Sequence, residues 1–389
     1  MNFPQFFKRS KAGFLSFIIL GMIIFSIVMT SANVFSGPIE DGHSKEIEQI
    51  EEEAHEGELD AGKMIIEHLI DSHEWHLWTY KGHHISIPLP VLLIHDGEFH
   101  AFWSNKLSHG HEHKGFYIAG EGENKGKILR AVQHGMVDDE IIAEEGSSSL
   151  PLDLSITKNV LSILMSSILL IIVFTSVARA YRRREGQAPK GLQSFMEPII
   201  VFIRDDIAKS SIGEKRYQRY MPYLLTIFFF IFLNNLMGIV PFFPGGANVT
   251  GNIAVTGVMA IFTFLITTFS ANKNYWTHIV NAPGVPWWLK FPFPLMPIVE
   301  IMGLFTKPFV LMVRLFANIT AGHTIILGFI SLIFIFGNIN AYAGLAGTLF
   351  AVPFAIFMSL LELLVAFIQA YVFTLLSALY FGMAIEEHH

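Results

Sequence analysis

The chain contains no cysteine, so neither disulfides nor thiolate metal sites are available to it. Charge is scarce, at 15% of residues against 52% hydrophobic. The formal balance of −7 offers no basic surface for nucleic acid. No glycine-rich phosphate-binding loop occurs, so direct ATP binding by this chain is not expected. The apolar runs are continuous and lack period-two alternation, which argues against a β-barrel. No internal repeat pairs two broken segments, as the architecture of a secondary transporter requires.

What is present is a succession of apolar runs after about residue 155, each long enough to cross a ~30 Å hydrocarbon core. The expected fold class is an all-α polytopic membrane protein. About five membrane helices are expected, with an amphipathic helix on the cytoplasmic side and the last two helices long and tilted as a hairpin. A small mixed or β extracytoplasmic domain precedes them. Three parts follow: a signal peptide (1–32), a His-rich acidic extracytoplasmic domain (33–150) and a membrane-embedded domain (151–389).

Lys8, Arg9 and Lys11 precede an apolar run from Phe14 to about Met29 and the small residues Thr30, Ser31 and Ala32. That order reads as a secretory signal that carries the next segment across the membrane. Residues 33–150 hold thirteen of the seventeen histidines. Gly37–Gly62 is acidic, and MIIEHLIDSHEWHLW reads as a short amphipathic helix. ISIPLPVLLIHDGEFHAFW reads as two strands about an Asp96-Gly97 turn, with the prolines keeping the first strand at an edge. KGFYIAGEGENKGKILR reads as a further hairpin. The tract Ser108–His113, with His73 and His76, has imidazoles for a metal but no four-ligand spacing, and no metal or other cofactor is assigned.

Ile156–Ala178 spans and is followed by Arg179, Arg182, Arg183, Arg184 and Lys190, which places that end in the cytoplasm. Gly191–Tyr220 is amphipathic and lies along the interface. Met221–Pro241 returns outward, Pro244-Gly245-Gly246 turns, and Ile253–Ser270 comes back. Asn281–Pro297, rich in proline and tryptophan, makes a cytoplasmic interfacial loop. A segment from Met296 to about Phe336, a turn at GNINAYAG and Thr348–Ala384 complete the count and leave the C-terminus in the cytoplasm.

Chemistry concentrates in Glu300–His323, EIMGLFTKPFVLMVRLFANITAGH. Charges at membrane depth cost about 2.5–3.5 kcal/mol each on insertion scales and tend to face inward and to serve function. Glu300, Lys307 and Arg314 recur every seven residues along one helical stripe, and Asn318 extends it by a turn. His323 lies nine residues past Arg314, about 180° around. Lys307, next to Pro308, also suits a helix start or kink near the headgroups. Arg314, flanked by apolar residues on both sides, does not. In the last helix Glu362 and Gln369 share one face. A lone glutamine there also serves as interhelical glue, whereas a buried glutamate calls for a partner.

At RLFANITAGH the chain resembles subunit a of F-type ATP synthases, the stator half of a proton channel. The resemblance covers most of residues 150–389. TKPFVLMVRLFANITAGH is similar to that family's signature, with Ala317 where glycine is usual. LTIFFFIFLNNLMGIVP, ANVTGNIA and LLVAFIQAYVFTLLSALYFGMAIEEH resemble further family segments in the same order. The resemblance implies roles for several residues in proton translocation. Arg314 would be the essential arginine, with Asn318 and Gln369 near it. His323 and Glu362 would form a His/Glu pair, Glu300 would belong to the cytoplasmic proton path, and Asn235 would match an asparagine of the third helix.

Gly238 stands where some members carry aspartate, and Lys158 lies near a position where some carry an acid. The implied partners are a rotor ring (the c-ring), peripheral-stalk b subunits, the catalytic head and membrane lipid, in a bacterial inner membrane. The chain itself would be non-catalytic. From the residues alone, a secondary ion transporter and a membrane-anchored metal-binding protein remain as alternatives.

Overall fold

The computed structural model describes residues 71–386, apart from 81–82, 108–110, 120–123, 125, 131–135, 138–139, 142–149, 241–242 and 281–294. The signal segment 1–32, the acidic tract 37–62, most of the proline- and tryptophan-rich loop and residues 387–389 lie outside the described residues, as does part of the histidine tract.

The first part is built from short antiparallel strands. β1 (Glu74–Tyr80) pairs with β2 (His83–Pro88). The segment read as an amphipathic helix is therefore a strand from Glu74 onward, while 64–70 lie outside the described residues. Trp75 and Trp78 are good strand formers, and pairing with β2 prevails over the weak helical periodicity. β3 (Pro90–His95) pairs with β4 (Glu98–Trp103) across a turn with positive φ at Asp96 and Gly97. The Asp-Gly hairpin signal is thus realised.

β3 is not an edge strand, however: β9 (Leu152–Asp153) pairs on its other side. Pro90 opens the strand, so its missing N–H breaks no ladder bond in the interior. β5 (Phe116–Ile118) and β6 (Ile128–Arg130) form the second expected hairpin, and β7 (Met136–Val137) pairs with β8 (Glu140–Ile141). Val91, Leu93, Phe102, Leu107, Phe116 and Ile128 make a small core.

Helix α1 (Lys158–Arg183) follows within a few residues of β9. Its start is held twice. Thr157 caps Val160 N–H, and the buried Asp71 carboxylate accepts from Thr157 Oγ1 at 2.7 Å and Asn159 N–H at 3.0 Å. A capping side chain contributes about 1 kcal/mol, so Asp71 ties the strand region to the first spanning helix. Trp75 extends the tie by burying its ring in the helical core and meeting Phe243 edge-on, with centroids 5.3 Å apart.

Helix α2 (Leu192–Phe202) runs on through a π-helical stretch, Ile203–Lys209, and a last turn, Ser210–Ile212. Gly213 ends it at φ 90°. Ile200, Ile203, Ile207 and Ala208 are buried, while Phe195 is exposed. Arg204, Asp205 and Lys209 form an ion cluster on the outside. Helices α3 (Tyr217–Ile239) and α4 (Ile253–Ser270) span, and a short α5 (Lys273–Val280) follows.

Two 45-residue helices, α6 (Leu295–Ile339) and α7 (Ala341–Ile385), close the chain. They pack against each other, α7 also packs on α3, and α6 on α4. The break between them is a single residue, shorter than the expected GNINAYAG turn. Asn340 adopts extended backbone and its side chain accepts from Ala343 N–H at 2.8 Å, so α7 begins at once. Pro308 lies inside α6, and the helix passes through it without starting or stopping.

Among the described residues, five helices are thus long and apolar enough to cross a membrane: α1, α3, α4, α6 and α7. Phenylalanine fills the space between them. Phe228 meets Phe229 and Phe367, and Phe229 meets Phe174. Hydroxyls join the same layers, with Tyr223 OH 2.7 Å from Thr263 Oγ1, which lies 3.3 Å from Ser377 Oγ.

Candidate functional site

The ionisable residues of α6 separate onto different sides. Leu311, Leu315 and Ile319 form its buried stripe, whereas Arg314 and Asn318 stand on the exposed face. Arg314 makes no hydrogen bond or ion pair among the described residues, though its charge reaches Tyr380 of α7. A guanidinium with no anionic partner among the described residues, on a helix this apolar, is arranged for a counter-charge supplied from outside.

His323 faces α7 instead. Its Nδ1 contacts Oε1 of Glu362, and neither atom has another hydrogen-bonding partner among the described residues. The glutamate side chain is 4% exposed and the imidazole 17%. Two glycines border the pair. A Cβ at Gly322 would lie 3.4 Å from Glu362 Oε1, and one at Gly238 would lie 3.6 Å from His323 Nε2.

Asn235 joins this group through α7. Its Nδ2 donates to the carbonyl of Ala366, one turn beyond Glu362, at 3.4 Å. Its Oδ1 accepts from Thr250 Oγ1 at 2.5 Å. Thr250 escaped sequence reasoning, since a threonine in the loop before α4 carries no signal until the fold sets it over α3. Asn234 turns back onto the Phe230 carbonyl of its own helix.

Gln369 is buried and lies seven residues beyond Glu362 on α7, as Arg314 lies nine before His323 on α6. The antiparallel register set by His323–Glu362 and by Lys307 over Tyr380 therefore brings Gln369 within about a turn of the Arg314 level. No hydrogen bond joins them. Lys307 is half-buried mid-helix, its Nζ 5.8 Å from the Tyr380 ring centroid. Glu300 is distant from the His323–Glu362 pair, 23 residues or about 34 Å along the helix. It meets His278 of α5 instead, Oε1 to Nδ1 at 3.5 Å.

Outside the spanning segments, His73 Nε2 lies 2.9 Å from Asp153 Oδ2. Burial works to raise the Asp153 carboxyl, but the His73 hydrogen bond and charge, with Ser155, bring it below the usual carboxylate range. Burial pushes Asp71 up, and its hydrogen bonds offset only part of that. Asp205 is held far down by hydrogen bonds from Arg204 and Lys209. Of the histidine tract, His111 and His113 are described, and His113 packs on Phe102. No group of three metal-ligating side chains gathers among the described residues.

Five apolar helices, the two longest of which hold an acid–imidazole pair between them with Arg314 on an exposed face, define a multi-pass membrane protein with ionisable groups along its two longest helices. The family described as ATP synthase A chain matches residues 160–382, and the chain belongs to that family. It is a subunit of the ATP synthase complex.

Among its relatives, ATP synthase subunit a 2 of Chlorobaculum tepidum is 42% identical over 289 residues, covering 71% of this chain and 78% of the relative. ATP synthase subunit a of Chloroherpeton thalassium is 45% identical over 244 residues, 61% and 69% of the two chains. ATP synthase subunit a 2 of Prosthecochloris aestuarii is 40% identical over 310 residues, 76% and 90%. Residues 64–154 match a domain of unknown function.

Proposed function

We propose that this chain is the proton-translocating stator of a rotary ATP synthase, offering two half-channels to a rotor ring on either side of Arg314. The observation that carries the reading is the division of α6: a guanidinium without a partner among the described residues on the open face, and the His323–Glu362 pair on the face toward α7. A rotor carboxyl tolerates lipid when neutral and not when ionised. Passing Arg314, it loses its proton, because a fixed positive charge lowers a carboxyl pKa. The same charge repels protons and so prevents a leak between the two paths.

On the entry side His323 and Glu362 hold one exchangeable proton between them, which a group of ordinary pKa about 6.5 relays near neutral pH. Asn235, fixed by Thr250, borders that pair. On the exit side the proton leaves past Glu300. The basic residues closing α1 support a cytoplasmic position for that end, and with it an extracytoplasmic strand domain, a cytoplasmic C-terminus and an α2 along the cytoplasmic face. α6 and α7 exceed a perpendicular crossing and therefore tilt. Each proton moving down 100 mV releases about 2.3 kcal/mol for rotation.

The transporter and metal-anchor readings leave Arg314 and the family match without an explanation. The test is ATP-driven acidification of inverted membrane vesicles at high and very low sodium. Arg314→Ala is expected to insert normally and to abolish pumping, with the unmodified complex indifferent to sodium. Normal pumping by the variant overturns the mechanism, and sodium-dependent pumping changes the ion.

A further inference from the structure

A second acid–imidazole pair stands near the start of α6, on the other side of Arg314 from His323–Glu362. Glu300 Oε1 lies 3.5 Å from Nδ1 of His278, which occupies the last turn of α5, where the free carbonyl ends of a helix favour a cation. The two pairs differ in one physical respect. The side chains of His323 and Glu362 are 17% and 4% exposed, whereas those of His278 and Glu300 are 42% and 32% exposed. A sealed pair hands a proton on within the protein; an open one exchanges it with water.

Of the other charged or titratable groups on the three helices that meet there, those toward this end are Lys273 and Tyr275 on α5, Lys307 on α6 and Tyr380 on α7, with Glu386 just past the end of α7. Arg314 and His323 on α6, and Tyr342, Glu362 and Tyr371 on α7, lie farther along. Burial, and then the negative charge of Glu300, push the Tyr275 phenol up, so it stays neutral. Lys307 is engaged over the Tyr380 ring. Tyr275, Lys307, Tyr380, Thr263 and Thr267 line one crevice on the way from the Arg314 level to Glu300.

We propose that His278 is the proton relay residue that takes the exiting proton from Glu300 and delivers it to cytoplasmic water. This rests on the reading of Glu300 as the exit-path acid. The protonated Glu300 carboxyl gives its proton to the Nδ1 lone pair of neutral His278. The imidazolium then loses the Nε2 proton to water, and exchange with water restores the starting tautomer. No bond other than these N–H and O–H bonds changes.

The test uses the whole complex in inverted vesicles, whose outer medium is the cytoplasmic side. ATP synthesis is measured against outer pH for the unmodified complex, His278→Ala, His278→Gln and Glu300→Gln, with assembly checked by co-purification of the catalytic head. His278→Ala is expected to slow synthesis about tenfold. That is less than the ~100-fold of an enclosed general base, because water partly substitutes at an exposed site. The variant is also expected to lose the dependence on outer pH between about 6 and 8, and free imidazole in the medium is expected to restore its rate.

An assembled His278→Ala complex that works at the normal rate overturns the relay, as does one slowed without a change in pH profile and without rescue by imidazole. Glu300→Gln working at the normal rate overturns instead the underlying assignment of Glu300. Imidazole restoring His278→Ala but not Glu300→Gln supports both.

Discussion

The Nδ1 of His323 on α6 and the Oε1 of Glu362 on α7 face each other in the helix interface, bordered by Gly322 and Gly238. Because neither atom has another partner among the described residues, removing one leaves the other buried and unsatisfied. His323→Ala and Glu362→Gln should each slow proton pumping by roughly 10- to 100-fold. The double variant should be less than additive, with a coupling of about 0.5–3 kcal/mol, as measured by a double-mutant cycle on initial pumping rates. Strict additivity would show that the two act separately.

Gly238→Asp adds a carboxyl where a Cβ meets only the Ala247 carbonyl at 3.4 Å and the His323 ring at 3.6 Å, both ordinary contacts. The Cβ meets no clash, and an anion added there attracts the proton that His323 relays. The pH profile of pumping, measured from the entry side, should shift to higher pH by about one unit. An unmoved profile would show that His323 does not titrate during transport.

Asp153 and Asp71 pull the pH dependence of the strand region in opposite directions. Asp153 is held below its ordinary value of 3.8, so its contribution is present above that pH and disappears as pH falls through the lower folded value. Asp71 is raised by burial, so its ionisation opposes folding as pH rises through its folded value. Asp153→Asn should destabilise the strands next to α1 by about 1–2 kcal/mol at pH 7. The difference from the unmodified protein should shrink as pH falls below 3.8 and through the lowered folded value. Hydrogen exchange at the amides of residues 72–77 in the full chain checks both statements.

Gly382 is closed in by the backbone of Ser211, so any side chain there must push α7 away from the end of the α2 segment. Gly382→Val should lower the thermal midpoint of the detergent-solubilised chain, at an overpacking cost of about 1–3 kcal/mol. Gly303→Ala, with open space around its Cβ position, should leave the midpoint unchanged or raise it slightly. Equal midpoints for the two variants would show that α2 is not held against α7.

The sequence by itself determined the spanning segments, because hydrocarbon demands long apolar runs, and Ile253–Ser270 has the same limits in both readings. It also determined the chemical oddity of Arg314, His323 and Glu362, since each is conspicuous among apolar neighbours. Helical periodicity was enough to put His323 on the other side of α6 from Arg314. Periodicity misled at Glu74–Tyr80, where pairing with a second strand, a non-local contact, outweighs a weak helical pattern. It also overstated the break between α6 and α7, because one asparagine that caps its own helix needs no longer turn.

Only the tertiary structure decided which polar groups meet. Packing of α7 against α6 and α3 set Glu362 on His323 and Asn235 under Thr250, and the placement of α5 beside α6 set His278 on Glu300. Those contacts join residues 15 to 39 apart in the chain, and no local rule of spacing encodes them. They follow from how helices pack, which is decided by the whole apolar surface at once.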